Sequence, residues 1–146
     1  HHEQQARVDP RKLHLADSGF AAHLAGIGSP GQLANAHVFG SLLETFVVNE
    51  LRKISGWSKA RVSLYHYRTE GGREVDIVLE DAQGRIVGIE VKAAMAVGSN
   101  DISGLKDLRD AAGSKWRRGI LLHPGLNITP FAKDIHAVPM SALWEW

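Results

Sequence analysis

Three residues near the middle of the chain have the types and spacing from which phosphoryl chemistry can be built: Asp76, Glu90 and Lys92. Asp76 lies in Arg73-Glu74-Val75-Asp76-Ile77-Val78-Leu79, and the other two lie in Arg85-Ile86-Val87-Gly88-Ile89-Glu90-Val91-Lys92. Both segments alternate in polarity, as strands do when their two faces see different surroundings. Val75, Ile77 and Leu79 are expected on one face, with Asp76 and Val78 on the other. In the second segment Glu90 and Lys92 share the face opposite Val87, Ile89 and Val91. Two carboxylates side by side repel each other unless something positive lies between them. A hard divalent cation, Mg²⁺ or Mn²⁺, takes oxygen ligands and is commonly held by one or two carboxylates plus water. Lys92 then has its ammonium on the same face, where it can hold an attacking water or offset negative charge in a transition state.

Whether these groups meet depends on the turn between them. Asp81-Ala82-Gln83-Gly84-Arg85 suits a three-residue hairpin loop, with Asp at the first position of a type I turn and Gly at the left-handed position that closes it. That register pairs Asp81 with Arg85 and therefore Asp76 with Glu90, their β-carbons roughly 4.5–5.5 Å apart. A slip of one residue sets Val75 opposite Glu90 and fits the pattern worse. Alternating charge is also what a solvated strand face shows. The residues alone leave a cation site and a plain surface both open.

Other elements must position this hairpin. From Asn35 to Ile54, Phe39, Leu42, Leu43, Phe46, Val47, Leu51 and Ile54 recur at helical spacing and predict a helix with a broad core-facing stripe. Glu44 falls at the edge of that stripe, beside Gly40 and Val48. Glu50 falls among Phe46, Leu43 and Ile54, and a buried carboxylate needs a partner. Its expected role is an internal salt bridge or hydrogen bond, or support for the cation's ligands from behind. Val62 to Tyr67 predicts a strand, Asp101 to Leu108 a helix, Gly119 to His123 a buried strand and Ile135 to Pro139 a short one, before a terminal turn or helix from Met140. Strand, helix and strand after a hairpin predict an α/β fold with a mixed central β-sheet flanked by α-helices.

Upstream, residues 1–11 read as a polar arm, Leu13 to Leu15 as a short strand, and Asp17-Ser18 as the cap of a helix running through Ala25. Gly26-Ile27-Gly28-Ser29-Pro30-Gly31 matches the dinucleotide-binding glycine pattern. That fingerprint needs a preceding strand, whereas here a helix precedes and Pro30 interrupts, so a helix cap and linker is expected. The expected division is 1–34 as N-terminal arm, short strand and linker helix, and 35–146 as the domain proper.

Composition narrows the function classes. With 146 residues, 44% of them hydrophobic, the chain can bury the core of one domain. A formal net charge of +1 shows no global basic excess, so any nucleic-acid contact must be a local patch. Arg68, Arg73, Lys115, Arg117 and Arg118 are the candidates for it, with Arg52, Lys53, Lys59 and Arg61 also available for phosphates. Trp116 is expected in the core rather than stacked on a base. The absence of cysteine excludes disulfides and thiolate zinc sites. The eight histidines show no zinc-hydrolase spacing, no nucleophile elbow occurs, and no P-loop occurs, so this stretch is not expected to bind ATP. No apolar run reaches membrane-spanning length and no signal peptide opens the sequence, from which a cytoplasmic location is expected. Beginning at Glu3-Gln4-Gln5, the chain reads as a piece of something longer.

Asp76 followed by Glu90-Val91-Lys92 resembles the D…ExK signature of the PD-(D/E)XK nuclease superfamily, with Val75 where the superfamily's name has proline. A wider ordered set resembles one member family, the domain of unknown function that follows an AAA-type P-loop ATPase in many prokaryotic proteins. That set is Lys12-Leu13-His14-Leu15-Ala16-Asp17-Ser18-Gly19-Phe20, Gly40-Ser41-Leu42-Leu43-Glu44, Asn49-Glu50-Leu51, Glu74-Val75-Asp76 and Glu90-Val91-Lys92, and the resemblance runs from about Lys12 to the C-terminus, nearly the whole chain. Gly40-x-x-x-Glu44 is similar to the helix of archaeal Holliday-junction resolvases and related nucleases, whose Glu completes the metal site. The resemblance implies a restriction-endonuclease-like core and Mg²⁺- or Mn²⁺-dependent hydrolysis of phosphodiester bonds, with DNA as the expected substrate. It implies Asp76, Glu90, the Val91 carbonyl and Glu44 as metal ligands and Lys92 as a catalytic group, and includes Glu50 without fixing its role. It further implies an upstream ATPase domain, and leaves self-association open. The rival expectation is a non-catalytic nuclease-like module that docks on a partner or binds nucleic acid without cutting it.

Overall fold

The computed structural model describes residues 7–9, 14–34 and 37–145. In order these form β1 (Arg7–Asp9), α1 (Ser18–Leu24), α2 (Pro30–Ala34), α3 (Phe39–Trp57), β2 (Val62–Arg68), β3 (Glu74–Asp81), β4 (Ile86–Val91), α4 (Ser103–Ala112), β5 (Trp116–His123), β6 (Thr129–Ala132) and β7 (Ile135–Pro139). Single 3₁₀ turns at Ser99–Ile102 and Gly113–Lys115 flank α4, and another at Met140–Leu143 follows β7.

The hairpin forms as its turn residues dictate. The Asp81 N–H donates to the Arg85 carbonyl at 3.1 Å and the Gly84 N–H to the Asp81 carbonyl at 2.9 Å. Gly84 has φ +74°, a left-handed conformation that costs glycine nothing because it has no Cβ. The Asp81 carboxylate accepts from the N–H groups of Gln83 and Arg85 within the loop, the local bonding that makes Asp a turn residue. The resulting register, Ile77 with Ile89 and Leu79 with Val87, is the one the sequence predicts.

All seven strands join one mixed sheet in the order β1-β2-β3-β4-β5-β7-β6. The β4–β5 and β5–β7 pairs are parallel and the rest antiparallel. Parallel neighbours need a crossover, and α4 is the crossover from β4 to β5. Each face of the sheet has its own core. On one, Val47 and Val48 of α3 pack with Ile77, Ile89 and Leu122. On the other, Ile102, Leu105 and Leu108 pack with Val75, Val78, Trp116 and Leu121. Trp116 lies in that core as expected, its indole N–H donating to Asp134 at 2.7 Å. A Cβ on Gly104 would lie 2.2 Å from the Glu74 carbonyl oxygen. Glycine there lets the start of α4 lie directly on the start of β3.

Several boundaries differ from expectation. The short N-terminal strand is Arg7–Asp9, paired with β2, while His14 and Leu15 are not in a strand. Asp17 caps α1 as predicted, accepting from the Phe20 N–H at 2.9 Å. Pro30 opens α2 rather than merely interrupting a linker, because proline's missing N–H costs nothing in a first helical turn. The glycine pattern Gly26–Gly31 follows a helix, so the strand that a dinucleotide loop requires is not before it. Among the described residues α3 begins at Phe39. Leu13, Asn35, Ala36 and Trp146, each part of an expected element, lie outside the described residues. Strand β6 was not expected; Pro130 within it is tolerated because β6 is a sheet edge. No helix among the described residues is long and apolar enough to cross a membrane.

Candidate functional site

A bulge in β3 builds the site. Between the pairs Tyr65–Val78 and Tyr67–Val75, β2 supplies one residue, His66, while β3 supplies two, Asp76 and Ile77. An extra residue bends a strand and re-aims its side chains. Val75 consequently packs with Val78 on the α4 side, while Ile77 and Leu79 face α3. This corrects the expectation that Val75, Ile77 and Leu79 share a face, since a one-residue offset flips the alternation. The Asp76 carbonyl faces His66 Nδ1 at 3.3 Å. A carbonyl can only accept, so Nδ1 carries the proton in this contact.

Beyond the bulge Asp76 reaches across to β4, where its Oδ2 accepts the Val91 N–H at 2.8 Å. The next amide, of Lys92, points the other way and donates to Leu122 on β5 at 2.9 Å. The peptide between Val91 and Lys92 is trans, so the Val91 carbonyl points away from β5 and toward β3. The Asp76 carboxylate and the Val91 carbonyl therefore border the same gap between β3 and β4.

The β3–β4 ladder ends at Ile77–Ile89, and just past it Glu90 lies close enough to Asp76 for the two carboxyls to act on each other electrostatically. Both are buried, at 8% and 9% exposure. Glu90 Oε1 lies 3.4 Å from the Lys92 ammonium, and Oε2 is buried with no hydrogen-bond partner among the described residues. Burial pushes the Glu90 carboxyl up to about 8; the neighbouring Asp76 carboxylate adds to the rise and Lys92 opposes it. The three residues thus come together at the carboxyl end of β4, the end of an α/β sheet where ligands bind.

Asp101 is a neighbour that sequence reasoning missed. Its Oδ1 lies 4.0 Å from the Lys92 ammonium, and its Oδ2 accepts the Gly98 N–H at 2.8 Å. An Asp three residues after the start of a turn that leads into a helix is a capping signal, and that signal could have marked it.

The other candidate residues are dispersed. Glu44, on α3, faces His14, with Glu44 Oε1 3.5 Å from His14 Nε2; His14 Nδ1 contacts Thr45 Oγ1 at 3.1 Å. Among the described residues no three His, Asp or Glu side chains gather closely enough to hold a metal ion, so Glu44 is not assembled with Asp76 and Glu90. Glu50 takes the salt-bridge role rather than a place behind the acidic pair. It bonds the Lys53 ammonium at 2.7 Å and the Trp144 indole N–H at 3.3 Å. The Lys53 bond holds its carboxyl below the ordinary value against some desolvation, and the Trp144 bond adds to that.

Of the basic residues, Arg68 and Arg73 lie at the sheet end that carries Asp76, and Arg73 is engaged by Asp107 at 2.9 Å. Lys115, Arg117 and Arg118 lie at the opposite end, because Trp116 pairs with Ile86 at the start of β4. At about 3.3 Å per residue, roughly 20 Å of strand separates that level from Lys92. They do not contribute to the surface around the acidic pair.

An α/β domain with a mixed sheet, whose strand ends present a buried acidic pair beside a lysine, is the class that fold and site define. The family model described as "Domain of unknown function (DUF4143)" matches residues 39–143, and the chain belongs to that family. No curated protein and no solved structure matches it.

The donor set suits a hard divalent cation. Two carboxylates and one peptide carbonyl border a single gap, and the unsatisfied Glu90 Oε2 is the kind of buried oxygen that a positive ligand would satisfy.

Proposed function

We propose that this domain is a metal-dependent nuclease of the PD-(D/E)XK type, with a restriction-endonuclease-like core. It hydrolyses phosphodiester bonds, with DNA as the substrate, within a larger protein that carries an AAA-type ATPase upstream. The observation that carries the reading is the buried Asp76–Glu90 pair with an unsatisfied oxygen on Glu90 and the Lys92 ammonium 3.4 Å away. Repulsion and desolvation make such a pair unfavourable in a structural role, and both costs are offset when a cation is bound.

Asp76, Glu90 and the Val91 carbonyl would hold Mg²⁺ or Mn²⁺, with water completing the shell. Bound there, the ion supplies Lewis acidity toward a phosphate oxygen and a water of lowered pKa. Asp76 is kept in place by the Val91 N–H and by the bulge that His66 spans. Glu90 holds a proton when no cation is present and gives it up to become a ligand, so loading releases a proton near neutral pH. Lys92, tethered between Glu90 and Asp101, presents its ammonium to a water or to negative charge developing on the phosphate.

A non-catalytic docking module is the second reading, favoured by the apolar Phe20 and Leu24, which are 54% and 63% exposed on α1. The test is cleavage of end-labelled single-stranded, duplex and branched DNA and one RNA strand, in Mg²⁺ or Mn²⁺, with Lys92→Ala alongside. Metal-dependent cutting that the variant lacks supports the nuclease. No cutting by either protein moves the assignment to the docking module, and equal cutting by both removes Lys92 from the chemistry.

A further inference from the structure

Between α3, β2 and β3 lies a cleft of about 40 Å³ whose lining includes His14, Val48, Arg52, Tyr65, His66 and Asp76. It shares Asp76 with the acidic pair. Its polar walls are not equivalent. His14 is bonded to Thr45 and Glu44, and His66 lies between the Asp76 carbonyl and Glu74. Arg73, Arg85 and Arg109 are each paired with aspartates. Arg52, exposed on α3, has no carboxylate partner among the described residues. It is an uncommitted guanidinium bordering a cleft that Asp76 also lines.

Resting on the nuclease reading, we propose that this cleft is the phosphate-binding side of the site, with Arg52 holding a backbone phosphate of the nucleic acid next to Asp76. A nucleic-acid strand is a polyanion, so the phosphates that flank the reacting one need fixed positive charge on the protein. Lys115, Arg117 and Arg118 are at the far end of the sheet, Arg73 is committed to Asp107, and Arg68, although at the right end, does not line the cleft. Arg52 supplies what they do not. Its planar fork can donate two parallel hydrogen bonds to one phosphate, which an ammonium cannot do.

The test is fluorescence anisotropy with a 5′-labelled 20-nucleotide DNA strand and an RNA strand of the same sequence, over a series of salt concentrations. The protein carries Lys92→Ala to prevent cutting, with and without Arg52→Ala or Arg52→Lys. Arg52→Ala is expected to weaken binding about tenfold and to reduce the salt slope by about one phosphate contact. Arg52→Lys is expected to keep the slope and lose part of the affinity. Thermal unfolding is expected to be unchanged for both, since Arg52 is exposed. Equal affinity and slope with and without Arg52, or no binding by any of the proteins, overturns the proposal. Preference between the two strands identifies which nucleic acid the cleft takes. If Arg52→Ala weakens binding but the native protein never cuts, the cleft stands and the nuclease reading falls. If the native protein cuts and Arg52→Ala leaves its KM unchanged, the reverse holds.

Discussion

Replacing Glu90 by Gln removes one ionisable group and keeps its shape, and its effect on stability should depend on pH in a direction that its surroundings fix. In the fold the Glu90 carboxyl is pushed from 4.5 up to about 8, by burial first and the Asp76 carboxylate second. Unfolding returns it to the ordinary value. A carboxyl raised in this way binds its proton more tightly in the folded state. The stability it contributes is fully present below the ordinary value and is lost as pH climbs through the window up to about 8. At about 1.4 kcal/mol per unit, native protein loses on the order of 3 kcal/mol between pH 5 and pH 8 relative to a chain without the group. For a domain of this size that is roughly 6–12 °C in Tm. Urea and thermal denaturation of the native protein and Glu90→Gln, at both pH values in EDTA, measure the gap directly. All other titrating groups are shared and cancel. The variant is expected to gain on the native protein as pH rises, and Mg²⁺ at pH 8 is expected to close the gap by stabilising only the native protein. Parallel pH profiles, or a variant that falls behind at pH 8, would refute the reasoning.

Three further predictions follow from the packing. Gly104→Ala places a Cβ 2.2 Å from the Glu74 carbonyl oxygen, lifting α4 from the start of β3. A loss of about 1–3 kcal/mol in urea denaturation is expected, with cleavage falling further because the Asp76 bulge begins two residues on. Replacing Lys115, Arg117 and Arg118 together by Ala should leave the cleavage rate within about twofold, since roughly 20 Å of strand is more than two Debye lengths at physiological salt. A larger loss would place substrate at that end of the sheet. Glu50→Gln should cost about 1 kcal/mol of stability through the Lys53 and Trp144 bonds, while cleavage per folded molecule stays constant; a drop in cleavage would return Glu50 to the site.

The hairpin was legible in the sequence because two independent signals agree on it. Asp81 with Gly84 fixes the loop length, and alternation from Ile77 to Leu79 and from Val87 to Ile89 agrees with the register that the loop sets. The bulge was not legible. Tyr65-His66-Tyr67 and Val75-Asp76-Ile77 both read as regular strand, and only the pairing between them reveals that one side has an extra residue. Glu50 shows the same division: helical geometry marked it as a carboxylate in need of a partner, but Trp144 comes from the far end of the chain. Glu44 was placed at a helix edge, yet its neighbour depends on the path of the segment at His14. Which basic residues flank the acidic pair depends on strand direction. The parallel pairing of β4 with β5 sends Lys115 to Arg118 to the wrong end, and hydrophobic pattern carries no such information.

The most direct test of the acidic pair as a cation site is calorimetric titration of Mn²⁺ into the native protein and into Asp76→Asn, in two buffers of different ionisation enthalpy. The native protein is expected to bind one ion with release of a proton near neutral pH, and the variant to lose the binding while remaining folded. No binding by the native protein, or equal binding by Asp76→Asn, would contradict this expectation.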